Sequence, residues 1–362
     1  MIDLHQPSPF IELAAVEAWD AWFRWREQTD LRDVSIEDTW LRVSSALASV
    51  EPRGETAMWQ ARFMDALASW RLLPDERLLT DAGTGRPMRY GGGIHAALNA
   101  ASFVSFDRGN VSALDLAALS ECAMLTVRAL DNVALLATVA APRLHIGLLG
   151  VADALALLGL AYDSDAGRVQ AASMANALAQ GCLRGNMLLA ITRGAVASDT
   201  PVAFARAQSR GTSADLLRDI ARHGLRHAQL TAIAPHPRLA LLANDVADAV
   251  DPLRGEDHPN VIAVPGGQRR TIRSSGYALN VLQGRGNGSG EEPDTLANLP
   301  WTAQIAMRAA VQPWIDEPID YPLLTTSDLD DARRLEAQKL AASHGLGDPA
   351  WRDSAELQAM WP

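Results

Sequence analysis

The sequence predicts a helix-rich α/β protein with an N-terminal helical region, and three observations carry that prediction. From about Ile11 to Trp70, apolar residues recur every three or four positions, the spacing that lines one face of a helix. After Pro74, short apolar runs alternate with longer helical stretches, as they do in βα units. With 48% hydrophobic and 21% charged residues over 362 positions, the chain has apolar surface enough for one large core or two smaller ones.

Within the first region, Ser35 followed by Asp38 reads as an N-terminal helix cap. Trp19, Trp22, Trp25, Trp40, Trp59 and Trp70 fall there at helical spacing, a pattern that builds a core rather than a ligand cage. Beyond Pro74, strands are expected at 77–82, 101–106, 145–149, 229–234 and 319–324, with helices at 114–136 and 151–158 between them. No internal repeat is present. Between 255 and 293 the composition shifts to Gly, Pro and Arg. The run Gln283-Gly-Arg-Gly-Asn-Gly-Ser-Gly290 reads as a linker rather than a phosphate cradle, because it leads into Glu291-Glu-Pro-Asp294 and not into a helix. The expected division is therefore 1–75 helical, 76–345 α/β with a flexible loop near 255–295, and 346–362 a C-terminal tail.

A net charge of -11 repels phosphate backbones, which argues against a nucleic-acid polymer as partner and leaves single nucleotides open. The two cysteines, Cys122 and Cys182, are too few for a disulfide framework or a multi-cysteine metal site and fit a reducing cytoplasm. The first residues lack the basic start and apolar run of a signal peptide. The most apolar stretch, near 144–160, is broken by His145 and Asp153, so no membrane segment is expected. Cys122 and Cys182 both lie in helical, Ala-rich surroundings and read as small buried hydrophobes. His223 and His227 have the spacing of ligands on one helical face, but Arg222 and Arg226 flank them and would oppose a cation, so no metal is assigned. No serine sits in a Gly-x-Ser-x-Gly turn, so a hydrolase triad has no support either.

Several blocks, taken in order, resemble the adenosylcobalamin-dependent (class II) ribonucleotide reductases over most of the chain. Ser35-Ile-Glu-Asp-Thr-Trp-Leu-Arg-Val43 and the run from Trp70 to Thr84 are similar to that family's N-terminal helices and first barrel strand. Residues 90–104, with Asn99 kept, resemble its next segment, and Arg128-Ala-Leu-Asp-Asn-Val133 its Leu-Asp-Asn helix. Gly147-Leu-Leu-Gly-Val-Ala-Asp-Ala-Leu155 resembles its glycine-rich strand-to-helix turn. Thr231-Ala-Ile-Ala-Pro235 through Val250-Asp-Pro252 resembles its phosphate-loop region, and Met307-Arg-Ala-Ala-Val-Gln312 its late helix.

The resemblance implies an incomplete ribonucleotide-reductase-like α/β barrel, with about five strands surviving behind the helical region. It also implies a loss of chemistry, since the family makes a thiyl radical on one cysteine and is reduced by two others. The radical loop would fall just before Arg86-Pro-Met88, where an excision is inferred between Thr84 and Arg86, and one reducing cysteine aligns with Gly93. Catalytic residues are therefore expected to be none and no cofactor is expected; adenosylcobalamin is implied by the family resemblance alone, and binding residues in the excised region have no counterpart here. The phosphate loop reads His236-Pro-Arg-Leu-Ala240, where proline removes a donor and bulk replaces glycine. Asn99, Thr231, Pro235, His236 and Arg238 remain as candidate ligand-binding residues. The expected function is a non-catalytic pseudoenzyme that binds a protein partner, such as a full-length reductase or a second copy, or a nucleotide-like ligand. The alternative is a component of a ribonucleotide reductase that takes its radical cysteine from another chain.

Overall fold

The structure, a computed structural model, describes residues 9–90, 93–106, 112–140, 142–196, 200–264, 267–285, 293–325, 330–347 and 349–353. Most of the run from Gly286 to Gly290 with its acidic sequel, and the end of the 346–362 tail, lie outside the described residues.

The chain begins with α1 (Leu13–Ala18), which continues into a π-helical turn, Trp19–Phe23. A short antiparallel hairpin follows, β1 (Arg26–Glu27) with β2 (Asp30–Leu31). Next come α2 (Ile36–Ala48) and α3 (Thr56–Ala68). The cap read from the sequence is in place, because Asp38 Oδ2 accepts the Ser35 N–H at 2.9 Å while Ser35 caps the Asp38 backbone. Trp19 and Trp40 are buried in the main core, Trp22, Trp59 and Trp70 pack against it, and Trp40 meets Trp70 edge to face at 5.2 Å. Trp25 stands outside that cluster, under the guanidinium of Arg42.

After β3 (Leu72–Pro74) the residues expected as a strand, 77–82, form α4 (Glu76–Asp81) instead. Asp75 decides the outcome: its carboxylate accepts the Arg77 N–H at 2.9 Å and so starts a helix at once. The true second strand is β4 (Gly93–Asn99), and the expected strand at 101–106 is a 3-10 turn, Ala100–Phe103, leading into β5 (Val104–Phe106), which pairs with β6 (Ser112–Leu114). Asn99 starts that turn by accepting the Ala101 N–H. There follow α5 (Leu116–Leu136), β7 (Arg143–Leu149), α6 (Val151–Leu157) and the long α7 (Asp165–Arg193), so the helices and the strand near 145 stand where the sequence placed them.

β3 runs antiparallel to β4, and β4 runs parallel to β7, joined by α5 as a parallel crossover requires. The expected strand at 229–234 is extended chain that touches β7 through one bridge, Ile146 to Thr231. The described residues form a three-stranded sheet here and no closed barrel. Gly181 and Gly185 on α7 face the α5 backbone at Ser120 and Met124, where a Cβ would collide with carbonyl oxygens. Absence of a side chain is what lets the two helices lie so close.

The rest comprises α8 (Thr200–Ser209), α9 (Ala214–His223), α10 (Pro237–Leu242), the antiparallel pair β8 (His258–Ala263) and β9 (Arg269–Ser274), then α11 (Tyr277–Gly284) and α12 (Trp301–Val311). Of the expected strand at 319–324 only its end is a strand, β10 (Leu323–Thr325), which pairs in parallel with β11 (Trp351–Asp353) across α13 (Asp331–Ser343). The core under the sheet is continuous from Trp19 to Tyr321, so the N-terminal helices and the α/β part share it. Among the described residues no helix is long and apolar enough to cross a membrane.

Candidate functional site

Because β4 and β7 run in register, His95 sits directly beside His145. Partners across neighbouring strands share a face, and the two rings meet edge to face with centroids 4.7 Å apart. His236, at the N-cap position of α10, brings a third ring to 5.8 Å from His95. Gly93 makes room for this group, since a Cβ there would stand 2.6 Å from the His145 ring. The space in front of Gly93 is thus filled by an imidazole.

His95 Nδ1 and His145 Nε2 are buried without a hydrogen bond, as is the hydroxyl of Tyr90. Glu317 Oε1 lies 3.2 Å from His145 Nε2, an ion-pair distance without hydrogen-bond alignment. Burial, reinforced by His145 and His236, lowers the His95 pKa to about 4, and burial lowers that of His236 as well. Asp75 closes one side; burial would raise its pKa, but the hydrogen bonds from Arg77 outweigh that and hold it below the usual carboxylate range. At neutral pH His95 is therefore uncharged and hydrogen-bond capable. Among the described residues no group of three or more His, Cys, Asp or Glu converges to hold a metal ion. His227 lies beyond the end of α9, buried, with Nε2 3.0 Å from Asp131 Oδ1, so His223 and His227 do not share a helical face.

The chain from 231 to 252 links the histidines to a cleft. Thr231 is buried, and its hydroxyl accepts the Asp316 N–H at 2.9 Å, while Asp316 in turn accepts the Leu230 and Thr231 N–H groups. Past α10 the backbone takes positive φ at Asn244, Asp245 and Ala249 (65°, 59° and 50°), a costly conformation for residues with a Cβ. Asp153, fully buried under this turn, accepts the Ala247 N–H at 2.6 Å and the Ala278 N–H at 3.0 Å. Burial raises its pKa to about 6 against those hydrogen bonds. The turn presents Asp248, whose Oδ1 accepts the His236 N–H at 2.7 Å.

A cleft lies between this turn, β8 and the β10–β11 pair. Pro235, Pro237 and Tyr321 line it together with Asp248, Arg254 and Arg352. Burial, and then Asp251, raise the Asp248 pKa to about 8.

Of the residues singled out from the sequence, Pro235 lines the cleft and His236 joins it to the histidine cluster. Asn99 and Thr231 are buried in structural hydrogen bonds, Asn99 also lying under Gly150 where the chain turns from β7 into α6. Arg238 reaches Glu76 at 3.4 Å and stacks over Trp22 at 5.1 Å, away from the cleft lining. Pro237 opens α10, so the loop read as a phosphate loop is a helix start. Sequence reasoning missed His95, His145, Asp248 and Arg352. The first two carried a signal, a histidine at the third position of each of two apolar strands, hidden because the earlier strand was placed eight residues too late. Cys122 and Cys182 are both free and buried, in α5 and α7, with burial pushing the Cys122 pKa up to about 12. They are the small buried hydrophobes expected.

Residues 96–256 match the family model described as ribonucleotide reductase, barrel domain. Over this segment the chain is similar to that barrel domain. Comparison with curated proteins finds no match. The reductase-like segment starts inside β4, carries α5, β7 and α7, and includes the turn at Asp245 and Asp248, so one wall of the cleft is built from it. The opposite wall, with Tyr321 and Arg352, lies beyond it.

Proposed function

We propose that this chain is a ribonucleotide-reductase-related protein that binds a small ligand in the cleft at Asp248 and carries out no thiyl-radical chemistry of its own. The observation that carries the reading is the separation of thiols from site. Both cysteines are buried, in α5 and α7, while the sheet face that would need one presents Gly93 under the His145 ring. A thiol with its pKa pushed to about 12 is not ionised at neutral pH. Adenosylcobalamin does not fit this arrangement, because the radical it supplies elsewhere in the family has no thiol to receive it here. The three-stranded sheet is, in this reading, the remnant of a barrel shortened between Thr84 and Arg86, and the chain works in the cytoplasm.

Two measurements test the proposal. Incubation with ribonucleotides, adenosylcobalamin and a dithiol should yield no deoxyribonucleotide above a protein-free control, and measurable turnover would overturn the non-catalytic part. A thermal-shift screen of nucleotides, cobalamins and metabolites should find a ligand that raises the melting temperature, since a ligand specific to the folded state must stabilise it.

A second reading, assembly with a copy of itself or a full-length reductase, is favoured by one feature. Trp59, Met124, Leu125, Leu188 and Leu189 line an apolar groove of about 400 Å³ between α3, α5 and α7, and Leu188 is 42% exposed. Light scattering that shows only a monomer would remove the homo-oligomeric form of this reading.

A further inference from the structure

The cleft at Asp248 is lined by charges of both signs, and most of them are already spent on one another. Asp245 is held by His258 at 2.7 Å and by Asn260 and Ser274. Arg254 gives its guanidinium to Asn260 Oδ1 and the Pro259 carbonyl, both at 2.8 Å. Asp251 faces Arg308 at 3.2 Å and the Tyr321 hydroxyl. Two groups are left over. Asp248 accepts only backbone N–H groups, from His236 and Ala249, and neither it nor Arg352 forms an ion pair within 4.0 Å among the described residues. Arg352 acts on Asp248 and Asp251 only at longer range.

We propose that this cleft is a binding site for a small zwitterion with an apolar body, such as a free amino acid, its ammonium group on Asp248 and its carboxylate on Arg352. The inference deepens the ligand-binding reading above and rests on it. The same cleft is lined by Pro235, Pro237, Pro322, Val261 and Leu324, apolar and, in the prolines, rigid. A rigid wall loses little conformational freedom when a ligand settles on it. A phosphate is disfavoured, since three aspartates face the cleft and the arginine nearest the turn is already engaged.

The protonation state makes the proposal measurable. With its pKa raised to about 8, Asp248 holds its proton at pH 7. An arriving ammonium group stabilises the carboxylate, so the carboxyl O–H breaks, the proton goes to solvent, and binding releases up to one proton.

The test is calorimetry on the full chain with L-leucine and L-phenylalanine, beside the half-molecules isopentylamine and 4-methylpentanoate, and inorganic phosphate. Each amino acid should bind at least tenfold more tightly than either half-molecule, with an apparent enthalpy at pH 7 that differs between Tris and HEPES buffers. Asp248→Asn and Arg352→Gln should each weaken binding at least tenfold. The arginine lies on the last described strand, so its variant carries the test even if Asp248→Asn fails to fold. Equal affinity for a half-molecule, tighter binding of phosphate, or unchanged affinity in Arg352→Gln overturns the inference. If nucleotides stabilise the protein and amino acids do not, this inference falls and the ligand-binding reading stands; if nothing in the broader screen does, both fall.

Discussion

Mild acid should destabilise this protein through His95. Its folded-state pKa, about 4, lies below the ordinary value of 6.5 because the ring is buried and because His145 and His236 crowd it. The groups that face the cluster are Asp75 and Arg77 at the start of α4, His145 on β7, His236 before α10 and Glu317 ahead of β10. A base whose folded pKa is depressed binds its proton more weakly in the folded chain. Its contribution is therefore complete above pH 6.5 and is lost as pH falls from 6.5 toward 4. At 1.36 kcal/mol per unit the full shift corresponds to roughly 3 kcal/mol, and discounting for the part of the ring that solvent reaches leaves about 2 kcal/mol. Asp153 and Asp248 have raised pKa values and favour the folded state on the acid side, so the wild-type curve alone mixes opposite signs. The informative quantity is the difference from His95→Leu. Urea unfolding followed by circular dichroism at pH 7.5, 6.0, 5.0 and 4.5 should show wild type losing about 2 kcal/mol more than the variant across that range. Parallel curves would refute the argument, because they would mean that the ring is solvated in the folded protein.

Three further outcomes follow from the packing. Asp153→Ala should cost about 3 kcal/mol in urea unfolding, since it leaves the buried Ala247 and Ala278 N–H groups without an acceptor. The cysteines should resist a thiol reagent in the native protein at pH 8 and react at once in guanidinium, as both are buried with raised pKa values; rapid native labelling would contradict their placement. Gly185→Val should wedge α7 off α5 by meeting the Met124 carbonyl, lowering the melting temperature by several degrees or abolishing soluble expression, whereas Gly284→Ala, with open space around it, should leave stability within about 0.5 kcal/mol.

How far the sequence spoke depended on the kind of signal. Local rules were legible: the Ser35–Asp38 cap, the tryptophan core, and helices α5 and α6 follow from spacing and capping chemistry within a few residues. Strands were less so, because a short apolar run looks alike in a strand and in a buried helix. Residues 77–82 went to helix on the strength of one capping aspartate, and the true strand, Gly93–Asn99, contains two alanines and a glycine where β-branched residues would have announced it. The candidate site was legible only at Pro235 and His236. His95 and His145 become neighbours through strand register, and Arg352 reaches the cleft from a strand more than one hundred residues past Asp248, a distance that no local pattern reports.

What survived here and what changed follow different physical demands. The segment that resembles a reductase barrel is held by interactions that depend on shape: Gly150 turning left-handed over Asn99, Gly181 and Gly185 against α5, Asp153 pinning the turn at 247. Each of these is costly to replace, whatever the protein does. On the proposed reading, in which the chain carries out no thiyl-radical chemistry, the sheet face at Gly93 bears no such constraint and is filled with what fits. Gly93 opposite His145 is the clearest case, since the imidazole occupies the volume that a side chain at 93 would need. A cysteine restored at 93 would have to displace that ring, so Gly93→Cys paired with His145→Ala should be better tolerated than Gly93→Cys alone, by more than 1 kcal/mol in a double-mutant cycle. If the single and double variants lose stability additively, the ring does not hold that space in solution, and the account of the inner face as refilled loses its support.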